Sequence, residues 1–285
     1  MGILQNKIDF TVLVTVENAN PNGDPLNGNR PRTTYEGNGE ISDVCIKRKI
    51  RNRLQDMGEN IFVQSEDRCD DGCKSLSERA TTNIKDYASK DDYAKKACEE
   101  WIDVRSFGQV FAFKAKGKEK DSKGVSVGVR GPVSIHQGLS ISDVNIQDMQ
   151  ITKSVNSEDG DKKGSDTMGT KHMVKFGLYR IKGSINVQLA EKTGFTEEDA
   201  DKIKEALRTL FINDSSSARP DGSMEVVKVY WWKHNNKIGQ YSSAKVHKSL
   251  KIELKDGIDI PKKVEDYDIM VEKLDGLEPE IIEGI

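Results

Sequence analysis

Three stretches of the chain have the apolar pattern of β-strands. Aliphatic or aromatic residues recur at every second position from Ile8 to Val16 and again, except at Gly183, from Tyr179 to Leu189. A period of two is typical of a strand with one face on a core. From Met224 to Trp232 both faces are apolar, which predicts a fully buried strand.

Helical spacing of apolar residues predicts two helices next to these strands. The first runs from a capping Ser42 to about Met57 and carries one apolar stripe. The second begins at Thr196, which can form a capping box with Asp199. Residues 58–105, rich in charge, predict a mostly helical insertion. The order of elements favours an α+β, ferredoxin-like core with split βαβ units and large decorations.

Three segments lack either period. Residues 18–39 are dense in Gly, Asn and Pro and predict a long ordered loop. Residues 114–123 predict a mobile basic loop. Residues 148–173 predict an extended hairpin arm whose tip, 158–166, has no apolar anchor and is expected to be mobile in an isolated subunit.

Composition narrows the class of protein. Hydrophobic residues make up 35% of the 285 residues and charged residues 32%, which permits a core under a large polar surface. Apolar runs fall far short of the roughly 20 residues that span a bilayer. The first residues lack a secretion signal, so we expect a cytoplasmic protein with reduced cysteines. For Cys69 and Cys73 an exposed, inert loop is favoured over a metal site, since the zinc spacing is absent.

Charge is unevenly distributed along the chain. Residues 251–285 contain 5 Lys against 11 Asp or Glu, although the whole chain carries a net charge of only −3. The preceding part is therefore mildly basic, which permits a polyanionic partner. We expect 241–285 to form an acidic tail.

The first predicted helix carries the strongest candidate site. Its N-terminus offers free backbone amides and the positive end of the helix dipole, and Lys47, Arg48 and Arg51 extend that positive surface along one shoulder. This arrangement suits a phosphate backbone, but an ordinary solvated charged helix is an equal alternative. The sequence contains neither a phosphate-binding loop nor a zinc-protease motif.

Two further features remain open between chemistry and structure. Asp24 and Asp43 flank the Gly-rich loop and could hold a divalent metal, but Asn-Gly-Asp-Pro is also a turn sequence, and turn chemistry is favoured. Met168 on the predicted arm could wedge between bases, although most surface methionines have no such role.

A series of motifs then resembles a known family. The sequence from about Ile8 to Gly239 is similar to the backbone subunit (Cas-seven family) of the type I-C CRISPR surveillance complex, Cascade. The motifs that carry the resemblance occur in this order: NPNGDP (20–25), GNRPR (28–32), SDVCIKRKIR (42–51), DVRSFG (103–108), VRGPVSI (129–135), TMGTKH (167–172), FGLY (176–179), KTGFTEED (192–199) and SSARP (216–220).

The resemblance implies a non-catalytic RNA-binding protein without a cofactor or a metal. Its partners would be CRISPR RNA, neighbouring copies bound head to tail, other subunits that cap the filament, and target DNA reached through guide pairing. It implies an RRM-like palm (1–57 and 125–240), helical fingers (58–124) and a β-hairpin thumb (148–173).

The same resemblance suggests which residues contact RNA. Related proteins often carry a basic residue on each side of TMG, where this chain has Asp166 and Thr170, so Lys171 and His172 become the candidates there. The implied RNA-binding residues are Ser42, Lys47, Arg48, Arg51, Arg130, Met168, Lys171, His172 and Arg219. Two alternatives remain: a metal-dependent ribonuclease using Asp24 or Asp43, and a His-dependent RNA-processing endonuclease of similar fold.

Overall fold

An antiparallel sheet forms the centre of the molecule. The computed structural model describes residues 2–113, 125–152 and 168–285. The sheet has the strand order β14-β11-β1-β10-β8-β4, and β7 and β9 also pair with β10. Its strands are β1 (Ile8–Ala19), β4 (Asn38–Ile41), β7 (Val133–Ile135), β8 (Gly138–Asp143), β9 (Ile146–Thr152), β10 (Met168–Ile185), β11 (Met224–Lys233) and β14 (Glu280–Glu283). The three predicted strands thus lie side by side as β11, β1 and β10. The strand predicted to reach Leu189 ends at Ile185, and Val187 and Leu189 lie instead in a helix that Asn186 caps.

The helices predicted beside those strands pack on one face of the sheet. The helices of the chain are α1 (Asp43–Asp56), α2 (Leu76–Asn83), α3 (Lys90–Glu100), α4 (Ile102–Phe107), α5 (Val187–Thr193), α6 (Glu197–Arg208) and α7 (Ser243–Ser249). The predicted caps are confirmed: Ser42 accepts from the Cys45 amide, and Thr196 forms a capping box with Asp199. Phe10, Val12 and Val14 of β1 join the apolar residues of α1 and α6 in the main core. None of the described helices is long and apolar enough to cross a membrane.

The predicted helical insertion has a hydrophobic cluster of its own. Phe62, Tyr93, Trp101 and Phe111 are buried in it, and the rings of Phe62 and Trp101 lie 4.7 Å apart. Besides α2, α3 and α4, this unit contains a hairpin of β5 (Gly108–Phe113) and β6 (Val125–Arg130).

The predicted boundary between the helical insertion and the palm, after residue 124, differs from the boundary in the structure. Residues 125–130 pair with β5 and add Val127 to the cluster of the insertion, so they do not belong to the central sheet. The strand predicted over 125–135 breaks near Gly131, where an added Cβ would lie 2.3 Å from the Ser106 carbonyl oxygen. This close backbone approach favours glycine and ends the pairing.

The acidic segment 241–285 is folded onto the molecule. It contains α7, the hairpin of β12 (Leu250–Leu254) and β13 (Tyr267–Val271), and β14, which pairs with β11. Val246, Leu250 and Tyr267 cover the second face of the sheet, where they pack in a cluster with Leu13 and Leu178. The acidic charge of this segment predicted a tail, but its apolar residues, buried against the sheet, fold it onto the molecule.

The base of the predicted hairpin arm is present. Ile146–Thr152 and 168–174 pair in register, from Met168 opposite Thr152 to Val174 opposite Ile146. The predicted arm tip at 158–166 and the predicted basic loop at 114–123 lie outside the described residues.

Candidate nucleic-acid interface

The loop between β1 and α1 is held against three other parts of the chain. It contains a short hairpin of β2 (Gly23–Asp24) and β3 (Arg30–Pro31). Asn22 Oδ1 accepts hydrogen bonds from the Ser42 amide (2.9 Å) and hydroxyl (2.8 Å), which ties the loop to the N-terminus of α1. The predicted ordered loop is thus confirmed, and it lies beside the first free amides of that helix.

The same loop contacts the segment that carries Arg219. The Asn20 amide donates to the Ala218 carbonyl over 2.9 Å, and its side chain donates to the Asn29 carbonyl over 2.7 Å. Arg219 is about a quarter exposed, with its Nε 3.4 Å from Asp214 Oδ2. The structure therefore brings Ser42 and the Arg219 segment, which hold two of the predicted RNA-binding residues, into contact with one loop.

The loop also reaches the base of the arm. Arg30 Nη1 lies 2.5 Å from Asp148 Oδ1, and the same oxygen is 2.7 Å from His172 Nδ1. The Arg30 guanidinium, followed by His172, lowers the pKa of the exposed Asp148 carboxyl. His172 thus joins the surface that contains Ser42 and Arg219, through a carboxylate that it shares with Arg30.

The arm residues divide between two faces. Met168 is 62% exposed, and His172 shares its face of β10 because successive strand residues point to opposite sides. Lys171, the neighbour of His172, therefore points to the other face. Contact of either residue with RNA stays a prediction, and the two side chains would reach it from different faces of the strand.

The cations of α1 are bonded within the protein. Lys47 Nζ lies 2.9 Å from Asp43 Oδ2, and Arg48 donates from Nη1 to the Val63 carbonyl over 2.5 Å. Arg51 donates from Nε to Asp103 Oδ2 over 2.8 Å, where Asp103 is completely buried.

Burial changes the electrostatics of the basic residues on this side of α1. Removal from water, followed by repulsion from Arg51, lowers the pKa of Arg48 to about 10. Two of the three predicted phosphate ligands, Arg48 and Arg51, therefore connect α1 to the helical insertion. Their contact with RNA remains a prediction, as does that of Arg130, which lies exposed at the end of β6.

Lys49, a fourth cation of α1, is only 4% exposed. It forms an ion pair with Asp214, the carboxylate that also faces Arg219. Its ammonium group lies 5.5 Å from the centroid of the Phe211 ring. The apolar stripe of the helix gives no sign of this burial, because the segment that covers Lys49 is distant in sequence.

Sequence reasoning also missed two arginines of the loop. Arg30 and Arg32 belong to the GNRPR motif, but neither was selected as a site residue. Arg32 is about a third exposed, and its Nη2 lies 3.5 Å from Asp24 Oδ1. The motif itself was the available signal, because two arginines in a loop that packs against a helix N-terminus extend its positive surface.

The candidate catalytic groups have structural contacts. Asp24 Oδ1 accepts from the Leu26 amide over 3.2 Å, which confirms its predicted turn role. In the loop that contains Cys69 and Cys73, the Asp71 carboxylate accepts a hydrogen bond from the Arg79 guanidinium. The Sγ atom of Cys69 lies 3.2 Å from the Cys73 carbonyl oxygen. Across 2–113, 125–152 and 168–285, no group of three or more His, Cys, Asp or Glu residues is arranged to hold a metal ion.

Comparisons with known proteins agree with the motif series. A family model described as CRISPR-associated protein Cas7 matches residues 6–272. A protein of that name from Haloferax volcanii is 26% identical over 211 residues, which are 70% of this chain. The match spans 62% of that relative, less than two thirds of its length.

Solved structures with a related shape come from CRISPR RNA-guided surveillance complexes. One, captured before nicking, has a TM-score of 0.47 and 15% identity over 79% of this chain and 78% of that chain. Another has a TM-score of 0.45 and 15% identity over 89% of this chain and 78% of that chain.

Proposed function

This chain belongs to the CRISPR-associated Cas7 family, and from that premise we propose that it is an RNA-binding backbone subunit of a type I-C surveillance complex in the cytoplasm. In this role it holds the phosphate backbone of the CRISPR RNA and leaves the guide bases free to pair with target DNA. It does not cut RNA and uses no metal or cofactor.

The fold supports a palm with attached fingers and thumb. The order β11-β1-β10-β8, with α1 and α6 on one face, supports the proposed ferredoxin-like or RRM-like palm. The helical insertion with its own hydrophobic cluster corresponds to the fingers. The paired strands β9 and β10 correspond to the thumb, which presents Met168.

One observation carries the proposal. The β1–α1 loop joins the N-terminus of α1 through Asn22, the Arg219 segment through Asn20, and the arm through Arg30. Three segments far apart in sequence thus form one surface with partly exposed cations at its rim. Such a surface suits a backbone phosphate, which requires donors and positive charge but no pocket for a base.

The proposed assembly follows from the arm. An arm that reaches a neighbouring copy makes a heterologous contact, and a contact of that kind that does not close builds a helical filament. Neighbouring copies along one RNA, with other Cascade subunits at the filament ends, are therefore the proposed partners. Met168 would lie against an unstacked base where the arm crosses the RNA.

Binding of RNA by the purified chain tests the proposal. The variant K47Q/R219Q removes two cations without stranding a buried acid, because Asp214 keeps Lys49 as its partner. We expect weaker binding to unrelated single-stranded RNAs alike, and a slope of log affinity against log salt that falls by about 0.7 per lost phosphate contact. Fluorescence anisotropy over a salt series measures both.

The control variant is K95Q/K96Q, which removes two cations from exposed i,i+4 pairs on α3. Equal losses of RNA affinity in K95Q/K96Q and K47Q/R219Q would contradict the proposed RNA-binding surface. RNA is also incubated with and without magnesium. Magnesium-dependent fragments that disappear in Asp24→Ala would contradict the non-catalytic role and favour a metal-dependent ribonuclease.

A further inference from the structure

A cationic groove lies on the second face of the sheet and reaches the N-terminal end of α1. Two adjacent cavities of about 490 and 370 Å³ share His136, Arg180 and Lys182 as lining residues. The larger cavity extends along α7 and β12, and the smaller extends past Leu139 towards Asp43. Together they form an open groove.

Strand β10 places two cations in this groove. Arg180 and Lys182 are two positions apart, so they share one face of β10, about 6.6 Å apart along the strand. Leu178 precedes them on the same face and is completely buried beneath the C-terminal segment. The two cations are half-buried where this covering layer ends.

Neither cation is neutralised by the described parts of the chain. Burial alone lowers the pKa of Arg180, and burial together with repulsion from Arg180 lowers the pKa of Lys182. No described carboxylate lies within 4.0 Å of either charged group, in contrast to Lys47, Arg51 and Lys49 of α1. A half-buried cation without a counter-ion is costly, and an external anion would offset that cost.

The surroundings of the groove are also basic. Lys248 is exposed beside it, and the ring of His136 lies 6.2 Å from that of the buried His247. Of the two lining carboxylates, Asp43 is already bonded to Lys47, and Glu253 is exposed. The groove therefore presents an excess of positive charge.

We propose that this groove binds phosphodiester groups of a single-stranded nucleic acid, with Arg180 and Lys182 as the phosphate ligands. The inference rests on the proposed function, since it assumes that the protein holds nucleic acid, and it adds a second phosphate contact on β10, beyond the N-terminus of α1. A guanidinium and an ammonium along an open groove suit consecutive phosphates of a strand. Because phosphate contacts ignore base identity, the ligand is defined by its backbone.

The variant R180Q/K182Q tests the groove. We expect its affinity for single-stranded RNA to fall about tenfold or more, as expected for loss of charge-assisted hydrogen bonds. The salt slope should fall by about 0.7 for each lost contact. K95Q/K96Q serves as the matched control, and R180K/K182R, which keeps both charges, should retain most of the affinity.

Parallel titrations with RNA and DNA of the same sequence identify the strand. If R180Q/K182Q loses affinity for both RNA and DNA, the groove contacts the backbone that the two share. If it loses affinity for only one of them, the groove is assigned to that nucleic acid. Unchanged affinity and slope for both, while K47Q/R219Q is weakened, would overturn the groove and leave the proposed function standing. A wild-type chain that binds neither strand would overturn both.

Crosslinking of the unmodified protein gives a test that does not depend on a variant that folds. RNA containing 4-thiouridine is bound, irradiated and digested, and crosslinked peptides are identified by mass spectrometry. We expect crosslinks to peptides that contain His136 and Lys182. Crosslinks confined to the β1–α1 loop and the arm would contradict the groove.

Discussion

The cations of α1 and the cations of β10 meet opposite electrostatic environments. On α1, Arg51 donates to the completely buried Asp103, and Lys49 pairs with Asp214. On β10, Arg180 and Lys182 have no described carboxylate within ion-pair distance, and burial lowers their pKa values. The helix has more cations than the strand, five Lys or Arg against four, but the strand has the more available charge.

The difference shows that the number of cations in a segment does not predict its charge towards a ligand. A cation that already has an acidic partner stabilises the fold, and a phosphate must displace that partner. A half-buried cation without one gains more from an incoming anion. Removal of each kind should therefore have opposite consequences for stability and binding.

The largest expected effect is on the acid that holds Arg51. Asp103 also accepts hydrogen bonds from the Phe62 amide (2.7 Å) and the Val63 amide (3.1 Å). Asp103→Ala leaves these donors and a buried guanidinium without a partner, so the free energy of unfolding should fall by about 3 to 5 kcal/mol. Urea denaturation measures it, with the exposed Asp201→Ala on α6 as control.

A direct comparison of the two elements comes next in size. Arg51→Gln removes a hydrogen bond to a buried charge and should lower the free energy of unfolding by about 1.5 to 3 kcal/mol. Arg180→Gln removes a cation without a counter-ion, so its effect should stay within about 0.5 kcal/mol. Comparable losses of unfolding free energy in the two variants would show that Arg180 has a structural partner. The contrast between the cations of α1 and those of β10 would then be wrong.

The pH dependence of stability tests the burial of His247, which lines the groove from α7. Burial lowers the pKa of His247 from its ordinary value of 6.5, so just below that pH the unfolded chain binds a proton that the folded protein does not. His247 thus makes stability fall as pH drops from 6.5 towards the lowered pKa. His247→Gln should reduce this decline by up to about 1 kcal/mol per pH unit, as denaturation at pH 7.5, 6.5 and 5.5 would show. If stability depends on pH in the same way in His247→Gln and in the unmodified protein, this role of His247 is contradicted.

The smallest effect is expected at the exposed end of the α1 shoulder. Lys47 and Asp43 form an i,i+4 pair whose side chains are 25% and 42% exposed. Lys47→Gln should lower the free energy of unfolding by only about 0.3 to 0.5 kcal/mol, and this loss should shrink at high salt. A loss comparable to that of Arg51→Gln would place Lys47 among the structural cations.

Local patterns predicted the strands and helices, but not what covers them. The alternation from Ile8 to Val16 and the Thr196 cap required only neighbouring residues, and both are confirmed. The burial of Lys49 depends on Asp214, 165 positions away, and the folded state of 241–285 depends on apolar residues that meet across the sheet.

The candidate site shows the same limit. The motifs identified the β1–α1 loop, Ser42 and Arg219, but Arg30 and His172 meet only because Asp148 of β9 lies between them. Arg180 and Lys182 gave no signal, since alternating cations in a strand usually face solvent. Their half-burial is produced by α7 and β12, which lie more than sixty residues further along the chain.

The central position of β1 has a consequence for the synthesis of the protein. β1 pairs along its length with β10 on one side and with β11 on the other. At about 5 to 20 residues per second, the ribosome needs roughly 10 to 35 s after making β1 to complete β10. During that interval the insertion can already bury its aromatic cluster, whereas β1 has neither of its two partner strands. A chaperone that shields nascent apolar segments should therefore increase the yield of folded protein.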